Sequence, residues 1–465
     1  MSDFDVIVIG AGPPGENAAG RCADRGFSVG IVEERLVGGE CSYFGCIPSK
    51  TLIRPGDVIA AAKRVPGTAE AVAGPIDVVA AFAQRNYMTS NWDDSGQIPW
   101  LKSKGIELFR GRGRMAGEKI VEVEQPDGTT RRLTAGRAVV LACGTVPLMP
   151  PIEGLADVNP WDNRDATAAK QLPRRLTVLG GGPIGAELSQ AFKRLGTEEV
   201  TVVEGSDRLL SREESFAGEQ VRAAFEKEGI VIFTGARVKA ARRQQGNGAV
   251  TATLEDGREI EGDELLVAVG RRPNTSDIGL ETVGLEALKG KYVAVDERLR
   301  VVGAPAEWLY AVGDANGLAL LTHMGKYQGR LVGDVIAGRD VIDVADHGAI
   351  PRVTFTDPQV CAVGLTEAEA RKKGIDVRVV SYGTGDVAGA YTRGNGITGT
   401  SQLVIDEHRK VVVGATFTGP DVQELLHSAT IALVGEVPLD RLWHAVPSFP
   451  TVSEVWLRLL EEYGL

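Results

Sequence analysis

One pattern occurs twice in this chain and constrains its fold more than any other feature. Residues 5–10, DVIVIG, form a short apolar run rich in β-branched residues. They are followed by AGPPGENAAGRCADRG, which has helical spacing and ends at a glycine, and then by a second strand-like run, FSVGIVEE. This reads as a βαβ unit of about 30 residues. The same order recurs in RLTVLGGGPIGAELSQAFKRLGTEEVTVVEG, residues 175–205. Each copy carries Gly-x-Gly-x-x-Gly between strand and helix: Gly10, Gly12 and Gly15, then Gly180, Gly182 and Gly185. The first glycine permits a tight turn, the second lets backbone approach a pyrophosphate, and the third lets helix and strand pack closely. The helix N-terminus supplies N–H groups and partial positive charge for phosphate. Two copies predict two dinucleotide sites in one chain.

An acid ends the second strand of each unit, where a carboxylate can accept from ribose hydroxyls. In the first unit it is Glu33 and in the second Glu204. At Glu204 a 2′-phosphate would face a like charge, which favours NAD over NADP, although Arg208 stands close by in sequence.

One unit downstream of the first fingerprint lies GGECSYFGCIPSK, residues 38–50, with Cys41 and Cys46. Five cysteines (Cys22, Cys41, Cys46, Cys143, Cys361) among 465 residues make no disulfide framework. The start MSDFDVIVIG has no basic n-region, so the expected compartment is a reducing cytoplasm. There a close cysteine pair reads as catalytic, and the bland alternative is two buried structural cysteines. Cys46 precedes Ile47-Pro48, and proline suits a first helical turn. A cysteine at a helix N-terminus feels the helix dipole, which stabilises its thiolate. Such a thiolate packed on a flavin can exchange electrons with the ring, leaving Cys41 to attack an external disulfide.

The remaining sequence completes the architecture. Residues 49–105 read as mostly helical, followed by a β-rich stretch that closes in AVVLACGTVP. LLVAVGRRPNT (265–275) and LYAVGDANG (309–317) are apolar strands ending in glycine turns. From about residue 346 antiparallel strands, a hairpin and the helical stretches 421–435 and 452–462 form an α+β unit. The predicted fold class is α/β: two Rossmann-like dinucleotide-binding domains plus a C-terminal α+β dimerisation domain. The formal charge, 51 − 62 = −11, argues against nucleic acid as a partner. No apolar run approaches the roughly 18 residues of a membrane span. His323, His347, His408, His427 and His444 are scattered, so no metal site is predicted.

With these residues in place, the chain resembles the class I pyridine nucleotide-disulfide oxidoreductases over essentially its whole length. The resemblance rests on Gly10–Gly15, the Cys41–Lys50 segment, the ACGT turn at Ala142–Thr145 with Gly144, Gly180–Glu187, VGRRPN at Val269–Asn274 with Gly270, Gly313-Asp314, and FTDPQVCAVGLTE at Phe355–Glu367. It implies an FAD-binding domain in two segments, 1–155 and 280–345, an NAD-binding domain at 156–279 and an interface domain at 346–465. It also implies a homodimer whose active site uses both subunits. By motif match Asp314 would hold the FAD ribityl or pyrophosphate region, and Lys50 would pair with Glu187 near the flavin N5 and the nicotinamide. A surface charge pair is the bland alternative for those two. Cys46 would be the charge-transfer thiol and Cys41 the interchange thiol.

One position departs from the family. Its C-terminal His-Pro-Thr motif, separated by two residues from a Glu, matches SFPTVSE, Ser448–Glu454, with Phe449 in place of the acid/base histidine. A phenyl ring carries no proton, and such acid–base help is typically worth ~10²–10⁴-fold. Glu454 keeps its place without the partner it would orient, and His444, five residues upstream, is a substitute only if the loop curls back. The expected function is an FAD-dependent NAD(P)H:disulfide oxidoreductase, similar to dihydrolipoyl dehydrogenase, acting on a small-molecule disulfide or dithiol through Cys41–Cys46. The alternatives are a quinone or dye reductase, and a reaction similar to that of 2-ketopropyl-coenzyme M oxidoreductase/carboxylase, whose resemblance implies the same Phe. A redox-sensing flavoprotein with little turnover fits less well, because the NAD site is complete.

Overall fold

The computed structural model describes residues 2–244, 248–345 and 348–465. His347 and the expected domain boundary at 345/346 therefore touch residues outside the described set. By internal contacts the chain forms two compact units. The first comprises Met1–Pro48, Asn86–Pro147 and Arg271–His347; the second comprises Ser49–Arg85, Leu148–Gly270 and Gly348–Leu465.

In the first unit, the strand Phe4–Ile9 lies in a parallel sheet between Val29–Glu33 and Thr130–Leu141. Ile106–Arg110 adds beyond Val29–Glu33, and Leu309–Ala311 pairs in parallel with Thr130–Leu141. From Val6 the run VIVIG is apolar because this part of the strand is buried on both faces. Its alternate residues enter different cores. Val6 and Val8 pack with Ala18, Ala19 and Cys22 of the helix Pro13–Asp24 and with Val332, whereas Ile7 and Ile9 pack with Val121, Leu133, Leu141 and Trp308. The long strand Thr130–Leu141 continues into an antiparallel ribbon with Ile120–Glu124 and Arg112–Met115.

The second unit holds a four-stranded parallel sheet ordered Ile230–Phe233, Glu199–Val203, Arg175–Leu179, Glu264–Val267. Leu176 and Val178 face Phe192 of the helix Pro183–Leu195, while Leu179 joins Val203, Leu265 and Val267 in a separate core. A three-stranded antiparallel sheet, Val238–Arg243, Val250–Leu254 and Glu259–Gly262, was not anticipated from the sequence. A five-stranded antiparallel sheet follows, ordered Arg352–Thr354, Gln359–Gly364, Val411–Gly419, Thr400–Asp406, Val377–Gly383. The helices Leu426–Val434 and Val455–Tyr463 contribute Leu426, Ala429, Val455 and Leu459 to its core. Among the described residues no helix is long and apolar enough to cross a membrane.

Candidate active site

Both fingerprints adopt the same backbone. Gly10 and Gly180 sit at φ +104° and +103°, a region costly to a side chain, and a Cβ on either would collide with the carbonyl of Ala142 or Ala268. Gly12 and Gly182 each stand at the N-cap of a helix that opens with proline in its first turn. The free N–H groups of such a turn are anion donors. A Cβ on Gly182 would meet nothing within 4 Å, so there is room for a pyrophosphate to approach the backbone.

The two strand-end acids have the same local role. Glu33 accepts hydrogen bonds from Ala11 N (2.8 Å) and Arg35 N (2.7 Å). Glu204 accepts from Gly181 N (2.5 Å) and Ser206 N (2.6 Å). Each carboxylate thus braces its own glycine loop and retains lone pairs for a ribose. Burial raises the Glu33 carboxyl above its usual range, against the two backbone N–H donors and Arg110.

The cysteine segment folds as two helices, Gly39–Tyr43 and Cys46–Arg64, so that Cys46 is the first residue of the longer one. Around it, Trp92 Nε1 donates to Tyr43 O (3.0 Å), and Asp94 accepts from Val37 N (2.6 Å) and pairs with Arg110 (2.5 Å). The two sulfurs are unbridged and half-buried. Thr322 Oγ1, at the start of the helix Thr322–Ile336, lies 3.4 Å from Cys46 Sγ. The Cys41 thiol is held well above its ordinary range, first by its hydrogen bond to Cys46, then by burial and the Cys46 charge. Thr322 and the Lys326 ammonium oppose this. The raised Cys41 thiol thus retains its proton, and a thiolate at Cys46 would gain from the helix N-terminus it opens.

Asp314 sits in the turn Gly313–Ala315 and accepts from Thr145 Oγ1 at 2.7 Å. Thr145 Oγ1 in turn accepts from Arg271 Nε at 2.7 Å, and Arg271 lies 3.7 Å from Glu40, the neighbour of Cys41. Burial raises the Asp314 carboxyl, with Thr145 and Arg271 pulling the other way. Gly144 lies in the adjacent turn at φ +68°. Gly270, at φ +135°, accepts from Leu148 N within the second unit. The chain Asp314–Thr145–Arg271–Glu40 links residues that sequence spacing could not connect, because its members are up to 274 positions apart (314 − 40).

In the second unit Lys50 Nζ lies 2.6 Å from Glu187 Oε2, and Glu187 Oε1 accepts from Phe355 N at 2.9 Å. Glu187 is buried, so this is not a surface charge pair. The helices that carry them are tied by Arg194, which pairs with Asp57 (3.3 Å), Glu228 (2.6 Å) and Asp357 (2.8 Å), while Arg64 also reaches Asp357 (2.6 Å). Phe449 and His444 are exposed. Glu454 is buried; its Oε1 accepts from Arg458 (2.7 Å), but its Oε2 has no hydrogen-bond partner.

Sequence reasoning passed over Thr322, Lys326, Thr145 and Glu40. A signal for the first two existed in Gly325, Gly329 and Gly333, a stripe at four-residue spacing that marks a helix face approached closely by another backbone. A Cβ at Gly325 would lie 2.5 Å from Pro14 Cγ, and one at Gly333 2.7 Å from Arg21 Cβ.

Comparison with known proteins identifies the family of the chain. Residues 4–329 match the pyridine nucleotide-disulphide oxidoreductase family, and residues 350–459 match the dimerisation domain of the same family. A dihydrolipoyl dehydrogenase of Mycobacterium bovis is 32% identical over 459 residues, covering 98% of this chain and 97% of that protein. A dihydrolipoyl dehydrogenase of Haloferax volcanii is 34% identical over 464 residues, covering 98% and 95%. Among solved structures, LpdA of Mycobacterium tuberculosis matches with a TM-score of 0.87 at 26% identity, covering 99% of this chain and 100% of that one.

Proposed function

Because the chain belongs to the pyridine nucleotide-disulphide oxidoreductase family, whose members depend on FAD and use pyridine nucleotides, we propose that it is an NADH-dependent reductase of small-molecule disulfides acting through Cys41 and Cys46. The observation that carries this reading is the pair itself: a thiol at Cys41 hydrogen-bonded to Cys46, which opens a helix beside Thr322. The Gly10–Gly15 turn, Glu33, Gly144 and Asp314 would hold FAD; Gly180–Gly185, Glu204 and Gly270 would hold the nicotinamide nucleotide. Bound flavin supplies the two-electron link between nicotinamide and sulfur. Lys50, neutralised by Glu187, would present a cation near the flavin N5.

NADH is favoured because Glu204 would face the 2′-phosphate of NADPH with a like charge. We assign the segments 1–155 and 280–345 to FAD, 156–279 to the nucleotide and 346–465 to the subunit interface. A homodimer fits the exposed apolar side chains of Ile431, Val434, Trp443, Val446 and Phe449. The buried, unbridged Cys22 and Cys361 suit a reducing cytoplasm.

Phe449 favours one second reading, direct reduction of a quinone with the cysteines uninvolved. Its family counterpart is a histidine, and the unpartnered Glu454 Oε2 is the atom that would orient it. The test is NADH oxidation by the holoenzyme with lipoamide and with a quinone, before and after Cys41→Ala. Lipoamide reduction is expected to fall at least about 10²-fold. Retained lipoamide reduction sinks the dithiol reading. Quinone reduction that survives Cys41→Ala in a protein inactive on lipoamide establishes the second.

A further inference from the structure

Thiol–disulfide exchange releases a thiolate that must find a proton, and Phe449 cannot provide one. Within the first unit, the surroundings of the cysteine pair contain a different carboxyl. The helix Thr322–Ile336 touches Cys46 through Thr322 and places Lys326 one turn further along the same face. This helix lies against Pro13–Asp24 at backbone distance. A Cβ at Gly329 would stand 2.9 Å from Ala18 N and from Asn17 Cβ, and Arg330 donates to Asn17 Oδ1 at 3.2 Å. Lys326 is one turn before Arg330, and Glu16 is the residue before Asn17. The cysteine side closes on the same spot: a Cβ at Gly39 would stand 2.7 Å from Gly12 Cα. Glu16 is one helical turn beyond Gly12, with its N–H on Gly12 O at 3.0 Å.

We propose that Glu16, under the charge of Lys326, is the proton donor of the exchange reaction, standing in for the acid lost at Phe449; this rests on the dithiol reading above. Glu16 is half-buried, and among the described residues no hydrogen bond to its carboxylate is found. Burial pushes its carboxyl up to about 7; the Lys326 charge holds it down and Glu33 adds to the rise. Tyr43, on the helix of Cys41, is the other titratable group that faces it, and Arg330 is the other cation on the opposing helix. Lys326 also favours the Cys41 thiolate, so one ammonium acts on both the nucleophile and the acid. An exposed glutamate would be fully ionised at neutral pH and could donate nothing. In the step, the Cys41 proton passes to Cys46 along their hydrogen bond, the Cys41 thiolate bonds to one sulfur of the substrate and the substrate S–S bond breaks. The departing sulfur keeps the electron pair and takes the proton of Glu16. Cys46 then gives up that proton to the second substrate sulfur and attacks Cys41, restoring the pair as a disulfide and releasing the second thiol, and Glu16 regains its proton from water. The reducing equivalents are those of the enzyme's own dithiol.

A donor to the leaving thiolate matters most when that thiolate is strongly basic. The test compares lipoamide, an aliphatic disulfide, with dithiobis(nitrobenzoate), an aromatic one, using NADH and holoenzyme. In Glu16→Gln the lipoamide-to-aromatic rate ratio should fall about 10²-fold, and Glu16→Asp should restore part of it. The wild-type lipoamide rate should decline as pH rises through about 7, the carboxyl's value. Lys326→Gln should move that limb to higher pH, because losing the cation favours the protonated acid. Should Glu16→Gln not fold, Glu16→Asp and Lys326→Gln decide the matter through the same limb. An unchanged ratio, or a limb that ignores Lys326→Gln, overturns the assignment of Glu16 alone. A wild-type holoenzyme that NADH bleaches but that reduces neither disulfide overturns the dithiol reading and this proposal together.

Discussion

The two glycine fingerprints share a backbone and differ in what surrounds it. Gly10 and Gly180 have the same φ within 1°, and in each unit a strand-end carboxylate bonds the N–H of the residue after the first glycine. The helices that follow diverge at once. After Gly15 the chain places Glu16 and Asn17 against a glycine-striped helix. After Gly185 it places Ala186, fully buried, and Glu187, paired with Lys50. The lesson is that the first and third glycines of each turn leave no room for a side chain, whereas the first turn of the helix that follows admits different side chains in the two units. Burial raises the carboxyl that has no ion-pair partner. A carboxyl paired with an ammonium serves instead to fix a cation.

The largest expected effect separates the two turns. A Cβ at Gly15 or Gly185 would collide with the carbonyl of Gly10 or Gly180, so alanine at either should cost about 1–3 kcal/mol or more. Gly15→Ala should purify with its flavin depleted. Gly185→Ala should remain yellow while NADH bleaches it at least about 10²-fold more slowly. Loss of flavin from both would show that the turns are not independent.

A smaller effect distinguishes the two carboxyls. Glu187→Gln leaves Lys50 without its partner, and denaturant unfolding should show a loss of about 1–3 kcal/mol, below the value for a fully buried pair because Lys50 is 35% exposed. Glu16→Gln breaks no ion pair and should cost less than about 1 kcal/mol. Equal losses would erase the distinction.

The smallest effect concerns how the first helix is clamped. Asp334 accepts from Arg21 (2.7 Å) and Arg25 (2.7 Å), and these bonds, Arg21 first, hold its carboxyl below 3.8. A carboxylate lowered in the folded state stabilises above its unfolded value and loses that contribution as pH falls through the folded one. Melting temperature should therefore drop as pH falls below about 4, and Asp334→Asn should flatten part of that drop. The pair is partly exposed, so the change should be within about 1 kcal/mol.

The parallel α/β architecture was legible in the sequence because two physical signals coincide there: apolar strands buried on both faces, and glycines at turns where backbone meets backbone. The cysteine at a helix start and the acids at strand ends were legible for the same local reason, since each depends on neighbours within about 25 positions. The pairing of Phe449 and Glu454 in one motif was visible as well, but not the unpartnered buried oxygen on Glu454. Burial and long-range pairing are properties of the folded chain. Only tertiary structure buried Glu187 and brought it to Lys50, joined Asp314 through Thr145 and Arg271 to Glu40, and brought the Lys326 charge to bear on Glu16. Local patterns are written in residue spacing, whereas the protonation of a carboxyl depends on solvent exclusion and on charges delivered by distant segments.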